Sequence, residues 1–361
     1  MRAEAHISLA ALRHNLGEAR RRAAGCRVMA VIKADGYGHG LERVARVLAP
    51  EVEAFALATL DEARALRRAG LDTPVVLLEG VTGPAALAEA VSLGCAPVLH
   101  HPSQLETLEA FPGAAAVAPW LKVDTGMHRL GFPPEAVPEL RRRLERIGIH
   151  DLRWMTHFAR ADEGDPAPTM EQLRVFREAL AGVPGVRSCA NSAALLRWPE
   201  THMDWIRPGI MLYGVSPFAD GCGAELGLRP AMRLGTRLIA VNARRRGDRL
   251  GYGGDYVCPG DMPVGVAAIG YGDGYPRHLG PDTPVRVAGR PARLAGRVSM
   301  DMILLDLRNA PAAAVDDPVL LWGPELPVER VARAAGTIAY ELLCRVGPRV
   351  RRRSEEGWNG P

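Results

Sequence analysis

Three neighbouring segments set the architecture: VMAVI at Val28–Ile32, LERVARVL at Leu41–Leu48 and AFALA at Ala54–Ala58. The first and third are short runs of apolar residues, which is typical of strands buried on both faces. The middle segment has apolar residues every three or four positions, which indicates a helix with one buried face. Strand, helix and strand in this order predict a βαβ unit with parallel strands.

The same alternation recurs about eight times, which favours one closed barrel over an open sheet. Eight βα units in roughly 200 residues are typical of an eight-stranded parallel (β/α)8 barrel. No glycine-rich dinucleotide motif follows the first strand. Beyond the two strands above, we predict strands at Val75–Leu78, Ala96–Leu99, Ala118–Val123, Leu152–Met155, Arg187–Cys189 and Met203–Ile206. The predicted helices are Leu41–Leu48, Asp61–Ala69, Pro102–Ala110, Pro134–Ile147 and Thr169–Leu180.

After about Gly221 the pattern changes to short strands separated by Gly, Pro and Asp turns, which predicts a second, mainly β domain. We expect the barrel to occupy residues 8–224, and the second domain to occupy 225–361 together with 1–7. A strand at Ala5–Ser8 and a helix at Val328–Ala335 are expected to join that domain. Its other predicted strands are Thr236–Val241, Pro263–Ile269, Val285–Val287 and Met302–Leu307.

Composition excludes several classes of protein. A formal charge of +4, with 24% charged residues of both signs, gives no reason to expect a nucleic acid or a membrane as partner. No apolar run approaches the roughly 20 residues of a membrane span, and no export signal is evident, so we expect a cytoplasmic protein. The six cysteines are scattered, so neither a metal site nor a disulfide is predicted. The basic residues Arg349 and Arg351–Arg353 are interpreted as a solvated end.

Lysine is almost absent from the chain. Of 45 basic residues, only Lys33 and Lys122 are lysines, and the others are arginines. Arginine cannot form a Schiff base and does not lose its proton near neutral pH. The two lysines are therefore candidates for chemistry that needs a primary amine.

Polar residues follow the ends of several predicted barrel strands. Lys33, Arg129, His157 and Arg207 follow the first, fifth, sixth and eighth strands, and Asn191 and Ser192 follow the seventh. Barrel enzymes build their active sites at this carboxyl end, and many bind a phosphate at the loops after the last two strands. Backbone amides of Ser192, Gly209 and Ile210 would be available there.

These residues lie in segments that resemble the alanine racemase family. VIKADGYGHG at Val31–Gly40 resembles its cofactor-lysine motif, and the likeness extends nearly end to end. It implies that Lys33 carries pyridoxal 5'-phosphate as a Schiff base. The remaining similar segments are LKVDTGMHRLG (Leu121–Gly131), THFARADE (Thr156–Glu163), RPGIMLYG (Arg207–Gly214), GYGGDY (Gly251–Tyr256), GYGDGY (Gly270–Tyr275), GRVSMD (Gly296–Asp301) and IAYE (Ile338–Glu341).

The resemblance implies a two-base racemase. Removing the α-proton of alanine from one face and returning one to the other requires two acid/base groups. Lys33 would serve D-alanine and Tyr252 would serve L-alanine. A phenol with a pKa near 10 is a weak base at neutral pH, so the family arrangement places His157 and Arg207 in a supporting chain. Arg207 would also face the pyridine nitrogen and disfavour its protonation, which biases the site toward simple reprotonation.

Further roles follow from the same resemblance. Tyr37, Ser192, Gly209, Ile210 and Tyr340 would hold the cofactor phosphate. Arg129 would lie beside the cofactor's phenolic oxygen and the substrate carboxylate. Lys122 would be modified to a carbamate, and the negative charge of this carbamate would orient Arg129.

A shared active site is also implied. Tyr252, Met300 and Asp301 would come from the partner of a homodimer, and Tyr271 and Tyr340 would narrow the entrance so that it favours a methyl side chain. The product, D-alanine, would serve peptidoglycan synthesis. Two positions depart from many relatives, Ser299 in place of cysteine and Gly36 in place of alanine.

Three other functions remain open on sequence grounds. One is a racemase of serine or another small amino acid, since one sequence does not fix the pocket volume. Another is a carrier of pyridoxal phosphate without turnover, although the β domain with Tyr252 would then lack a purpose. The third is a decarboxylase, which would be expected to have an acidic residue in place of Arg207.

Overall fold

The computed structural model describes residues 2–357. The parts of the expected second domain at residue 1 and residues 358–361 lie outside this range. Strand β1, Glu4–Ser8, opens the chain, and helix α1, Leu9–Arg22, follows it directly. The Ser8 side chain starts α1 by accepting a hydrogen bond from the Ala11 amide at 3.1 Å.

Eight parallel strands then close into the predicted barrel. The prediction of a (β/α)8 barrel with a mainly β second domain is confirmed, and most strand ends differ from it by one or two residues. Its strands are β2 (Arg27–Val31), β3 (Ala54–Leu57), β4 (Val75–Leu77), β5 (Cys95–Leu99), β6 (Trp120–Lys122), β7 (Arg153–Met155), β8 (Val186–Ser188) and β9 (Trp205–Ile206).

The helices of this region lie between the strands and cover the barrel. The α-helices in these connections are α2 (Lys33–Tyr37), α3 (Leu41–Leu48), α4 (Leu60–Arg68), α5 (Pro84–Ser92), α6 (Pro102–Glu109), α7 (Val137–Arg146), α8 (Ala167–Ala179) and α9 (Ser192–Arg197). Strands β3 and β4 are buried along their whole length, because helices cover one face and barrel side chains fill the other.

The second domain is built on a mainly antiparallel sheet, and two helices, α10 (Val328–Ala334) and α11 (Ala339–Cys344), accompany it. Its strands are β10 (Met232–Arg244), β11 (Arg249–Leu250), β12 (Tyr256–Val257), β13 (Met262–Ala267), β14 (Pro284–Val287), β15 (Arg290–Leu294), β16 (Ile303–Asp306), β17 (Pro318–Trp322) and β18 (Arg351–Glu355). Of these, β11 and β12 form a separate two-stranded pair. The others join β1 in an eight-stranded sheet of order β13-β16-β15-β14-β17-β10-β1-β18, in which β13 also pairs with β10.

Both ends of the chain meet in this sheet. Strand β1 pairs antiparallel with β10 and parallel with β18, so the predicted strand at Ala5–Ser8 is confirmed. Arg351 and Arg353 are exposed to solvent, as expected, whereas Arg352 is partly buried and the segment is a strand of the sheet. These arginines belong to β18, and Arg353 forms an ion pair with Glu4 at 2.9 Å.

One buried apolar cluster extends from Ala3 to Val350 and includes residues of both domains. A smaller cluster around Leu250 and Cys258 lies under the β11–β12 pair. Between residues 2 and 357, no helix is both long and apolar enough to cross a bilayer.

Candidate active site

A cavity of about 720 Å³ opens at the carboxyl end of the barrel strands. Its wall contains ten of the residues singled out from the sequence, so the barrel brings them together as expected for this end of the fold. These ten are Lys33, Tyr37, Lys122, Arg129, His157, Ser192, Arg207, Gly209, Ile210 and Tyr340.

Lys33 stands at the start of a left-handed turn. Ala34, Asp35 and Tyr37 have φ angles of 54°, 54° and 52°, and Gly36 lies in the same region. Each non-glycine residue in this conformation costs about 1–2 kcal/mol. Such a run therefore needs support from its surroundings, and both of its end residues, Lys33 and Tyr37, line the cavity.

Hydrogen bonds hold the turn at several points. The Gly36 amide donates to the Ile32 carbonyl at 2.9 Å, and the Gly38 amide donates to the Ala34 carbonyl at 3.0 Å. The Ala34 amide donates to a carboxylate oxygen of Glu62 at 2.7 Å. Glu62 also completes the capping box of α4. The turn after Lys33 is thus tied to the next βα connection of the barrel.

Arg207 is a buried cation whose partners are all uncharged. Its guanidinium donates to Ser188 Oγ at 2.7 Å and to the backbone carbonyls of Thr156 and Cys189 at 2.6 and 3.1 Å. Burial lowers its pKa to about 10, so the group still carries a positive charge at neutral pH. A fixed cation therefore lies at one wall of the cavity.

His157 is the neighbour of this cation. Its Nδ1 lies 3.3 Å from Arg207 Nη2. Because a guanidinium can only donate, Nδ1 must accept, and the imidazole is then neutral with its proton on Nε2. Burial, and next the charge of Arg207, lower the His157 pKa well below its usual value, which agrees with a neutral ring. The Nε2 proton remains available as a donor.

Lys122 lies at the end of β6 and is buried. Burial is the main cause that lowers its pKa to about 8, and the charges of Arg207, Arg129 and Lys33 contribute further. A substantial fraction of this amine is therefore neutral near physiological pH, which is the form that reacts as a nucleophile.

Tyr37 also lines the cavity and packs against Tyr213 and against the backbone of Gly209. Its ring stacks on Tyr213 with centroids 4.8 Å apart, and Tyr340 lies 6.0 Å away. A Cβ at Gly209 would come within 2.8 Å of the Tyr37 hydroxyl, so only glycine leaves this close approach open. Ser192 Oγ accepts from the Gly209 amide at 2.8 Å.

These residues form a cradle of neutral donors, with a primary amine, Lys33, in the same cavity. Such a cradle fits a phosphate ester, and the amine fits an aldehyde. The residues present therefore fit pyridoxal phosphate.

Four of the expected site residues lie elsewhere in the chain. Tyr252, Tyr271, Met300 and Asp301 do not line the cavity, and the Tyr252 side chain is 68% exposed. The loops of Tyr271 and Met300 are joined by backbone hydrogen bonds such as Gly272 N to Met300 O at 2.9 Å. Asp301 accepts from Arg349 at 2.5 Å.

Several further residues of the cavity wall were not singled out from the sequence. Glu79 and Thr82 follow β4, and His100 and Gln104 follow β5, so the rule of carboxyl strand ends would have found them. They lacked a distinctive motif. The rest are Val31, Leu78, Leu130, Met155 and Asn191, of which Asn191 had been noted only for its position after a strand.

Two family models match the chain. Residues 7–217 match the alanine racemase N-terminal domain, and residues 231–354 match the alanine racemase C-terminal domain.

The chain belongs to the alanine racemase family.

Curated relatives support this membership over nearly the full length. The chain is 52% identical to an alanine racemase of Halorhodospira halophila, with 98% of each chain covered. It is 53% identical to an alanine racemase of Nitrosococcus oceani, covering 98% of this chain and 99% of that one.

Solved structures of alanine racemases share the fold. The biosynthetic alanine racemase of Pseudomonas aeruginosa is 44% identical, with a TM-score of 0.95 over 98% of this chain and 100% of that chain. The alanine racemase of Bartonella henselae with covalently bound pyridoxal phosphate is 27% identical, with a TM-score of 0.89 over 98% of this chain and 100% of that chain.

Proposed function

We propose that this protein interconverts L-alanine and D-alanine with pyridoxal phosphate bound to Lys33. The observation that carries the proposal is the position of Lys33 in one cavity with Arg207, His157 and the tyrosine cradle. The names of the relatives, and the covalent cofactor of the Bartonella henselae structure, support it.

The cofactor would be held at both ends. Lys33 would bind its aldehyde carbon, and its phosphate would be bound by Tyr37, Ser192, Gly209, Ile210 and Tyr340. When bound, pyridoxal phosphate supplies an electron-withdrawing ring that acidifies the α-carbon of an amino acid. Side chains of the protein would carry out binding, orientation and proton transfer.

Two side chains would move the α-proton. Lys33 Nζ would exchange it on the D-alanine face, and Tyr252 of the partner subunit would exchange it on the L-alanine face. The neutral His157, with its proton on Nε2, would donate a hydrogen bond to the Tyr252 oxygen and stabilise the phenolate. Tyr252 would then be able to accept or return the α-proton on that face.

Arg207 would determine which reaction of the bound amino acid is favoured. Its guanidinium stays charged and has only donors, so a ring nitrogen beside it would accept a hydrogen bond and remain unprotonated. Arg207 thereby limits how strongly the ring withdraws electrons. Rapid return of the proton would then be favoured over transamination or decarboxylation.

Arg129 and Lys122 would act together on the substrate carboxylate. Arg129 would bind this carboxylate and the phenolic oxygen of the cofactor. Lys122, with its pKa lowered to about 8, would react with carbon dioxide to form a carbamate whose charge orients Arg129.

The active sites would be shared within a homodimer. Tyr252, Tyr271 and Met300 are large exposed side chains at the surface of the second domain, as expected for a face that a second copy covers. They would contact substrate in the partner's cavity together with Asp301, and Tyr271 and Tyr340 would narrow its entrance.

We also retain the domain division at 224/225 with residues 1–7 in the second domain. In its support, β1 pairs with β10 and β18, which are strands of the second domain. We propose a cytoplasmic enzyme that supplies D-alanine for peptidoglycan.

The test is exchange of the α-proton of L-alanine in deuterated water, with chiral analysis of the product. The purified protein with pyridoxal phosphate should form deuterated D-alanine, and Tyr252→Phe should slow exchange of the α-proton of L-alanine more than exchange of the α-proton of D-alanine. Cofactor absorbance at Lys33 without exchange and without D-alanine would contradict the proposal.

A further inference from the structure

Arg352, on strand β18, reaches from the second domain to the turn behind Lys33. Its Nε donates to the Gly38 carbonyl at 2.8 Å, and its Nη2 donates to the Val346 carbonyl at 2.8 Å. The side chain is only 16% exposed and lies 3.6 Å from an Asp35 carboxylate oxygen. It is therefore a largely buried, charged donor between two backbone segments.

Each of the two carbonyls belongs to a segment that carries a tyrosine of the cradle. Gly38 directly follows Tyr37 and ends the left-handed turn, and Val346 follows α11, on which Tyr340 lies. These segments touch, because a Cβ at Gly38 would come within 2.0 Å of the Leu343 carbonyl oxygen. One guanidinium thus joins both segments where they meet.

The turn depends on such contacts. It holds three non-glycine residues in a left-handed conformation, so a weakened hydrogen bond at its end lets it relax toward ordinary backbone angles. A relaxed turn would shift Tyr37 relative to Tyr340. It would shift Lys33 less, since only the buried Ile32 separates Lys33 from β2 and its neighbour Ala34 is held by Glu62.

We propose that Arg352 is a positioning residue for the phosphate of the cofactor, acting through Tyr37 and Tyr340. The inference rests on the proposed binding of pyridoxal phosphate in this cavity. Arg352 itself would not touch the cofactor. Its removal should weaken binding of the phosphate group and leave the aldehyde end unaffected.

The test compares two ligands that differ only by that phosphate. Pyridoxal phosphate and pyridoxal are titrated into apoprotein, and each Kd is read from the absorbance of the lysine-bound form. In Arg352→Gln the Kd of pyridoxal phosphate should rise about tenfold, the usual effect of losing a charged hydrogen bond, and the Kd of pyridoxal should stay unchanged. Arg352→Lys, which keeps one charged donor, should show a smaller rise for pyridoxal phosphate alone.

Arg353→Gln is the matched control. It removes the same charge from the adjacent residue of β18, whose partner is Glu4 on β1, far from the turn in sequence. Both of its Kd values should equal those of the parent. If Arg352→Gln does not fold, the comparison of Arg352→Lys with the parent decides the question.

Equal weakening of both ligands, or no weakening, in the folded Arg352 variants would overturn the inference alone. A parent protein that binds neither ligand would overturn the proposed function and, with it, the inference.

Discussion

At the scale of single residues, Lys122 shows how burial and neighbouring charges favour the neutral, reactive form of an amine. Burial, followed by the neighbouring cations Arg207, Arg129 and Lys33, lowers its pKa from 10.5 to about 8. The neutral fraction therefore grows as the pH rises through 8, whereas an exposed lysine stays protonated until about pH 10. An arginine here would stay charged throughout and could not form a carbamate.

We predict that Lys122 is carbamylated, and that the modified fraction at constant dissolved carbon dioxide rises between pH 7 and 8. Nuclear magnetic resonance with carbon-13 carbon dioxide would detect the carbamate carbon. Lys122→Arg should lose the signal, while Lys33→Arg should keep it. A signal that survives in Lys122→Arg would assign the carbamate to another amine.

Gly209 is a second residue whose surroundings determine its role, because they leave little room for a Cβ atom at this position. A Cβ there would lie 2.8 Å from the Tyr37 hydroxyl, and the ring cannot move easily because it stacks on Tyr213. Gly209→Ala should therefore raise the Kd of pyridoxal phosphate about tenfold through overpacking. Gly164→Ala, where nothing lies within 4 Å of the new Cβ, is the control. Equal Kd values for the two variants would refute the prediction.

At the scale of elements, the left-handed turn after β2 is the place where we expect a single substitution to raise the stability of the protein. Ala34 is exposed and has a φ of 54°, so its methyl group adds strain without adding buried contacts. Ala34→Gly should raise the stability of the apoprotein by up to about 1 kcal/mol, seen as a higher Tm.

The same substitution in an ordinary helix should have the opposite effect. Ala88, exposed in the middle of α5, is the control: Ala88→Gly should lower the stability by about 1 kcal/mol. A lower Tm for Ala34→Gly would mean that the loss of chain entropy outweighs the strain.

A comparison of the elements also shows which parts of the fold can be predicted from the sequence. Strands such as β3 were found because burial on both faces leaves a continuous apolar run. The left-handed turn was not found, since Ala34 disfavours that conformation, one aspartate is a weak signal for it, and a hydrogen bond from Glu62 on a different connection helps to maintain it. Strand β18 was missed because its partner β1 lies at the other end of the chain, and RRRSE lacks an apolar pattern.

At the scale of the whole molecule, the barrel cavity could be predicted from sequence patterns, but the contribution that we propose for a second copy could not. The barrel rule collects residues such as Lys33 and His157 at one end whatever their separation in sequence. Tyr252 lies on the second domain, away from its own cavity. No pattern within one chain shows where a second copy binds, so for Tyr252 the resemblance was the only guide.

Mixed dimers would test the shared site. A heterodimer of a Lys33→Ala subunit with a Tyr252→Ala subunit has one site with both groups intact and one with neither, if Tyr252 acts across the interface. Isolated through two different tags, it should show about half the racemase activity of the parent dimer, while each homodimer is inactive. An inactive heterodimer would place Lys33 and Tyr252 in the same subunit's site.

The pairing of β1 with β18 has a consequence for synthesis on the ribosome. The Glu4–Arg353 contact joins residues 349 positions apart, and at about 5–20 residues per second the second partner emerges roughly 20–70 seconds after the first. The barrel, made of neighbouring βα units, can form during that interval. Strand β1, with Ala5 and Ile7 fully buried in the finished sheet, has both edges unpaired until β10 is made and one edge unpaired until β18 is made. The nascent chain is therefore open to mispairing at β1 throughout this interval, and a chaperone that shields this segment would be of most use before β18 is synthesised.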